Sequence, residues 1–215
     1  MNIGLVTSYI IAGVILLSIV MMNINVQSST VELTMTQIMR DRVVNITEIL
    51  NDDLPNMGYD VYRTTRDNDA VENKILALGR TNKISFYRNI QEIPDRKPDL
   101  ITWELLNDDP QNSKNPDHKT LIRIVEDGVT GQPDTLAIKN SVTRFQVRYY
   151  NTVGADFEDN VSPPGQLKNN LDNIRQIHLV LEVQSPEPVL SRATGPERFV
   201  RSVWEKRFTP LNLQI

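Results

Sequence analysis

The chain has 215 residues, 40% of them hydrophobic and 23% charged, with a formal net charge of -4 and no cysteine. The missing cysteine excludes disulfides, thiolate metal sites and cysteine nucleophiles. Residues 31–57 are net acidic by three and the rest of the chain is nearly neutral, so no basic stripe is available to a phosphate backbone and nucleic acid is not a partner.

The first 31 residues carry no charged side chain, and Ile3 to Met22 is almost wholly apolar. Twenty helical residues rise about 30 Å, the thickness of a bilayer's hydrocarbon core. A secretory signal would show a basic start, a shorter apolar core and a small-x-small cleavage site. No Lys or Arg precedes this run, and the helical pattern continues through Ser28 and Ser29, so it reads as a retained membrane helix. A buried helix of a soluble protein is the alternative, but the run is apolar on every face. Gly4, Ser8 and Ala12 recur at i, i+4 and i+8 with Gly13 beside them, a small-residue face on which another helix can pack closely within lipid.

From Val31 the pattern becomes amphipathic. Met35, Ile38, Met39, Val43, Ile46, Ile49, Leu50 and Leu54 recur at a period near 3.6, opposite Arg40, Thr47, Glu48 and Asn51. Pro55 and Gly58 then end the helix between Asn51 and Met57. Residues 1–57 therefore form one helix, its membrane half about 3–22 and its amphipathic half about 31–54. The stripe of Met35, Ile38, Val43, Ile46, Ile49, Leu50 and Leu54 anchors the domain that follows.

That domain, residues 58–215, reads as strands. Candidates are the short run at Ile84 and Phe86, the apolar stretch Leu100–Leu106 around Trp103, and Leu121–Val125. Phe145, Val147 and Tyr149 alternate with polar neighbours, as do Ile177, Leu179, Leu181 and Val183, and a last alternating run spans Phe199–Phe208. Loops rich in Asn, Asp and Pro fall at Asn107–His118, Gly154–Gly165 and Ser185–Pro196. A long helix followed by an antiparallel sheet that covers its apolar stripe is an α+β arrangement.

Few residues suggest chemistry. His178 sits on a strand pointing away from the apolar face and His118 in a polar loop, neither with a partner at ligand spacing. Calcium is the cation that Asn107, Asp108, Asp109, Asn112, Asn115 and Asp117 could take, but the spacing matches no EF-hand, and Asp156, Glu158 and Asp159 are a weaker set. Asp52 and Asp53 point about 100° apart on a helix and read as solvated surface rather than an acid pair. Trp103, Trp204, Phe145 and Tyr149 fall on strand patterns as core residues. No phosphate-binding glycine loop or nucleophile elbow is present, and the Asn45-Ile46-Thr47 and Asn160-Val161-Ser162 sequons are too common a motif to count. No catalytic residue and no cofactor is assigned, and the chain reads as a non-enzyme.

Three stretches carry a resemblance. They are the apolar helix leading into RVVNITEILNDDLPNMGY (Arg42 to Tyr59), LAIKNSVTRFQVRYYNTVG (Leu136 to Gly154) and IRQIHLVLEVQS (Ile174 to Ser185). In their order the sequence resembles the type IV pilin-like superfamily, most closely minor pilins and pseudopilins of the W/J type. The family's prepilin processing signature is a basic leader, a Gly, an aromatic residue and a Glu five positions after the cut. Gly4 and Leu5 stand at that place here, with Leu5 for the aromatic, Tyr9 for the Glu and no basic leader, a departure that fits an atypical minor subunit or an unprocessed membrane homologue.

The resemblance implies a pilin-like fold and a structural role. Such a chain sits in the bacterial inner membrane by a single pass, its sheet domain extracytoplasmic. It assembles with other pilin-like subunits and an assembly platform into a type IV pilus or a type II secretion pseudopilus, where minor subunits prime or cap. The positive-inside rule does not fix the orientation, because Arg40 and Arg42 are the only basic residues near the helix. The rival reading is a membrane-tethered extracytoplasmic binding or sensor domain that does not polymerise.

Overall fold

The structure is a computed structural model that describes residues 3–59, 76–90, 97–107, 113–151, 154, 166–167, 173–190 and 197–214. It opens with α1 (Ile3–Asp53), a single unbroken helix of 51 residues, about 76 Å long at 1.5 Å per residue. Leu54 N–H still bonds the Leu50 carbonyl, after which the chain turns at Pro55. Gly58 takes the left-handed conformation (φ 73°) and hands its N–H to the Tyr87 carbonyl, fixing the helix end against the sheet.

The sheet strands are β1 (Leu76–Arg80), β2 (Lys83–Arg88), β3 (Asp99–Leu106), β4 (Lys119–Glu126), β5 (Pro133–Tyr150), β6 (Gln166–Leu167), β7 (Gln176–Gln184) and β10 (Arg201–Phe208). Their order is β10-β7-β5-β4-β3-β2-β1-β6, all neighbours antiparallel. A separate two-stranded pair joins β8 (Val189–Leu190) to β9 (Glu197–Arg198), and a 3-10 turn at Leu211–Gln214 follows β10. One long helix with one antiparallel sheet makes the fold α+β.

β5 is the pivot of the sheet. Its first part pairs with β4, from Pro133 opposite Glu126 to Val142 opposite Lys119, and its second part with β7, from Val142 opposite Val183 to Tyr150 opposite Gln176. Register shifts beside Val142 on both ladders mark the bend, as an extra residue in one strand does. The bend brings the second part of β5 back over the β1–β2 turn. Val147 N–H bonds the Thr81 carbonyl, the Tyr149 hydroxyl donates to the Arg80 carbonyl at 3.1 Å, and Phe145 stacks on Trp103 with ring centroids 6.3 Å apart.

Alternation explains which side chains fill the space this curl encloses. Ile84 and Phe86 of β2, Ile101 and Trp103 of β3, and Ile177, Leu179, Leu181 and Val183 of β7 are all buried. Met39, Val43, Ile46, Leu50, Leu54 and Met57 from α1 and its end complete the same core. Trp103, Phe145 and Tyr149 are thus core residues, as their strand positions require.

The anchoring stripe is rotated slightly from its expected position. Val43, Ile46, Leu50 and Leu54 are buried and Met35 and Ile49 half-buried, but Ile38 is exposed and Met39 lies fully inside in its place. Thr47, expected on the outer face, is also buried, its hydroxyl returned to the Val44 carbonyl at 3.0 Å. The buried line Met39, Val43, Ile46, Leu50, Asp53 advances by three or four residues each time. Ile38, about 100° away from Met39 around the helix, falls outside it.

The exposed helix and its buried anchor

Residues 3–27 of α1 are exposed at every position. This is the one described helix long and apolar enough to cross a membrane, and none of that window is buried by the rest of the chain. Its hydroxyls turn inward along the helix. Thr7 Oγ1 bonds the Ile3 carbonyl at 2.6 Å, Ser8 Oγ the Gly4 carbonyl at 2.9 Å and Ser18 Oγ the Val14 carbonyl at 2.9 Å. A hydroxyl so satisfied adds no unpaired donor to an apolar surrounding, which an oily medium would penalise.

Gly4, Ser8 and Ala12 lie within about 80° of one another around the axis, a single ridge of small side chains. Gly13 does not share it. It follows Ala12 by about 100° and falls on the far side from Gly4, where an added Cβ would meet nothing within 4 Å. Gly4 and Leu5 stand on this exposed stretch near the end of the helix, with Tyr9 72% exposed a turn later.

The other end of α1 holds a feature that sequence reading missed. Asp53, in the last helical turn, is fully buried rather than solvated. Arg123 of β4 grips its carboxylate with two bonds, Nε to Oδ2 at 2.7 Å and Nη2 to Oδ1 at 2.8 Å. Trp103 of β3 donates its indole N–H to Oδ2 at 2.8 Å, and Arg88 of β2 reaches Oδ1 at 3.0 Å. Arg88 also donates to the Asp52 carbonyl, capping one of the last helical carbonyls.

Electrostatics at a helix C-terminus disfavours an acidic side chain, and two guanidiniums from neighbouring strands reverse that preference. The bond to Asp53 holds the Arg123 guanidinium above its ordinary pKa, against a smaller opposing effect of burial. Asp53 thereby ties the helix to three successive strands. Further up, Glu32 pairs with Arg198 of β9, and Lys206 Nζ of β10 bonds Asn51 Oδ1 at 2.7 Å, so the small β8–β9 pair and the main sheet together hold α1 from Glu32 to its end.

The remaining candidates lie apart from this anchor. His118 is buried, not loop-exposed as expected, because Ser113 and the returning end of β7 enclose it. Its Nδ1 shares a hydrogen with the Ser113 hydroxyl at 2.7 Å, and its Nε2 lies 3.1 Å from the Gln184 carbonyl. Burial pushes its pKa below the usual imidazole value, and the Arg42 charge acts in the same sense. His178 faces outward and pairs with Glu205 across the β7–β10 ladder at 2.7 Å.

Asn115, the calcium candidate nearest His118, is buried with its amide on Gln184 Oε1 and the Ser185 carbonyl and its Oδ1 accepting from Asp117 N–H. Asp108, Asp109, Asn112, Asp156, Glu158, Asp159 and the second sequon lie outside the described residues. Among the described residues no three His, Asp or Glu side chains converge as a metal site. In comparison with known proteins, no family model matches the chain and no curated protein does.

Proposed function

We propose that this chain is a non-enzymatic, single-pass membrane subunit of the pilin-like kind, a minor pilin or pseudopilin. The first half of α1 inserts in the inner membrane and packs laterally against the helices of other such subunits, while the sheet domain stands outside the cytoplasm. The observation that carries the reading is the division of one unbroken helix. Residues 3–27 are exposed throughout, whereas Met39, Val43, Ile46, Leu50 and Leu54 belong to the buried core shared with the sheet.

A helix apolar on every face yet left uncovered by its own chain needs another apolar surrounding. Lipid together with neighbouring helices supplies it, and the ridge at Gly4, Ser8 and Ala12 lets a neighbour's backbone approach. The assembled structure is a type IV pilus or a type II secretion pseudopilus, where the chain primes or caps. Cleavage between Gly4 and Leu5, the place of the family's processing site, would remove Gly4 and leave Ser8 and Ala12 to carry the ridge.

The test replaces the ridge. Ser8→Leu combined with Ala12→Leu reduces helix association in a membrane two-hybrid reporter, whereas Ile10→Leu leaves it unchanged. Undiminished association in the double variant removes the packing face. A domain that binds a soluble ligand and recruits no membrane partner replaces the assembly reading with the tethered-sensor one.

A further inference from the structure

Half of β5 has an unused edge. On one side it pairs with β4 from Pro133 onward, but on the other it pairs with β7 only from Val142 onward. β7 stops at Gln184 and the chain turns away, Ser185 N–H on the Val200 carbonyl and its hydroxyl on the Glu187 carbonyl. Among the described residues no strand takes its place along residues 133–141. Pro133 to Ala137 are exposed, Leu136 by 45% although it is apolar.

α1 runs beside this edge and leaves a groove of about 260 Å³. Ile46, Ile49, Leu136 and Ile138 give it an apolar floor, Arg42 and Lys139 flank it, and none of the described lining residues is acidic. Leu136 and Ile138 are two apart and lie opposite Arg123 and Leu121 on β4, so both face the helix side of the sheet.

We propose that this edge and groove together form a docking site for an extended strand of a partner polypeptide, with apolar residues at alternate positions and a carboxylate at the end that meets Lys139. A row of unpaired N–H and C=O groups fits an extended backbone. The two-residue period of a strand then places alternate side chains over the groove; Lys139 selects an acidic residue at its end of the edge, whereas exposed Asp134 stands at the other.

The occupant is a different chain rather than a second copy. Antiparallel pairing of this edge with itself requires a two-fold axis that reverses β5, and α1 with it. Two helices anchored in one membrane cannot then run in the same sense. That step rests on the membrane-anchored reading, whereas the edge and the groove do not.

The experiment titrates the full chain in detergent micelles with a capped nine-residue peptide of alternating valine and threonine, with glutamate at one end. Anisotropy of the labelled peptide and hydrogen exchange of the chain's amides are followed together. The expected result is saturable binding that slows exchange within residues 133–141 and disappears when alternate peptide nitrogens are methylated. Leu136→Glu weakens binding about tenfold. Lys139→Glu weakens it about threefold and turns the preference toward a lysine-ended peptide. Both positions are exposed, and an unchanged unfolding midpoint confirms that the variants fold.

Absence of saturable binding at millimolar peptide, or binding that leaves the edge amides unprotected or ignores both substitutions, overturns the proposal. Protection of the same amides that grows with the chain's own concentration, without peptide, assigns the edge to a second copy and overturns it too.

Discussion

Asp53 has four donors around it, contributed by Arg88, Trp103 and Arg123, and no water-facing surface. Asp53→Asn keeps the shape but removes the charge that two guanidiniums need. Leaving buried charge uncompensated costs about 3–5 kcal/mol, and urea unfolding of the detergent-solubilised chain, read by tryptophan fluorescence, will show the loss. Asp52→Asn, next door but 63% exposed at its side chain, shifts the same curve by under about 1 kcal/mol. His118 adds a pH dependence whose sign follows from burial. Its folded pKa is depressed, so its contribution to stability is complete above the unfolded value near 6.5 and is lost as pH falls from there through the folded pKa. A fall from pH 7.5 to 5.5 lowers the unfolding midpoint of the natural chain, and His118→Gln flattens that dependence.

Along α1, periodicity locates the helix, its end and most of the stripe, but a 3.6-residue period tolerates a one-residue rotation. Only the sheet decides between Ile38 and Met39. Leu50→Ala, at a fully buried position, destabilises by about 2–5 kcal/mol, whereas Ile38→Ala, 39% exposed, costs under about 1 kcal/mol in the same unfolding measurement. The strands with one buried face, β2, β3, β7 and the second part of β5, are legible because burial writes alternation into them. The first part of β5 is not, since residues that face solvent on an open edge carry no such pattern. β1, apolar from Leu76 to Leu78 and then Gly79, shows none either. Asp53 was illegible for another reason: its partners lie 35, 50 and 70 residues away, and only the folded sheet brings them together.

The whole molecule is an apolar rod gripped at one end. The domain's hold begins with Glu32 and Arg198 of β9, ten residues beyond Met22, so about 15 Å of helix separates the apolar half from the domain. Asn23, Asn25, Gln27, Ser28 and Ser29 lie in that interval and suit the polar headgroup layer. With the apolar half in a bilayer, as the proposed function requires, this geometry would hold the domain clear of it and leave residues 3–27 open to neighbours. The central claim, that a single face of this uncovered helix meets other helices, is tested most directly by photocrosslinking in native membranes. Photoreactive residues at Ser8 and Ala12 probe the small ridge, and the same residues at Ile10 and Leu17 probe the opposite side. The account predicts adducts to membrane polypeptides from Ser8 and Ala12 and to lipid from Ile10 and Leu17. Lipid adducts alone from all four positions would contradict it.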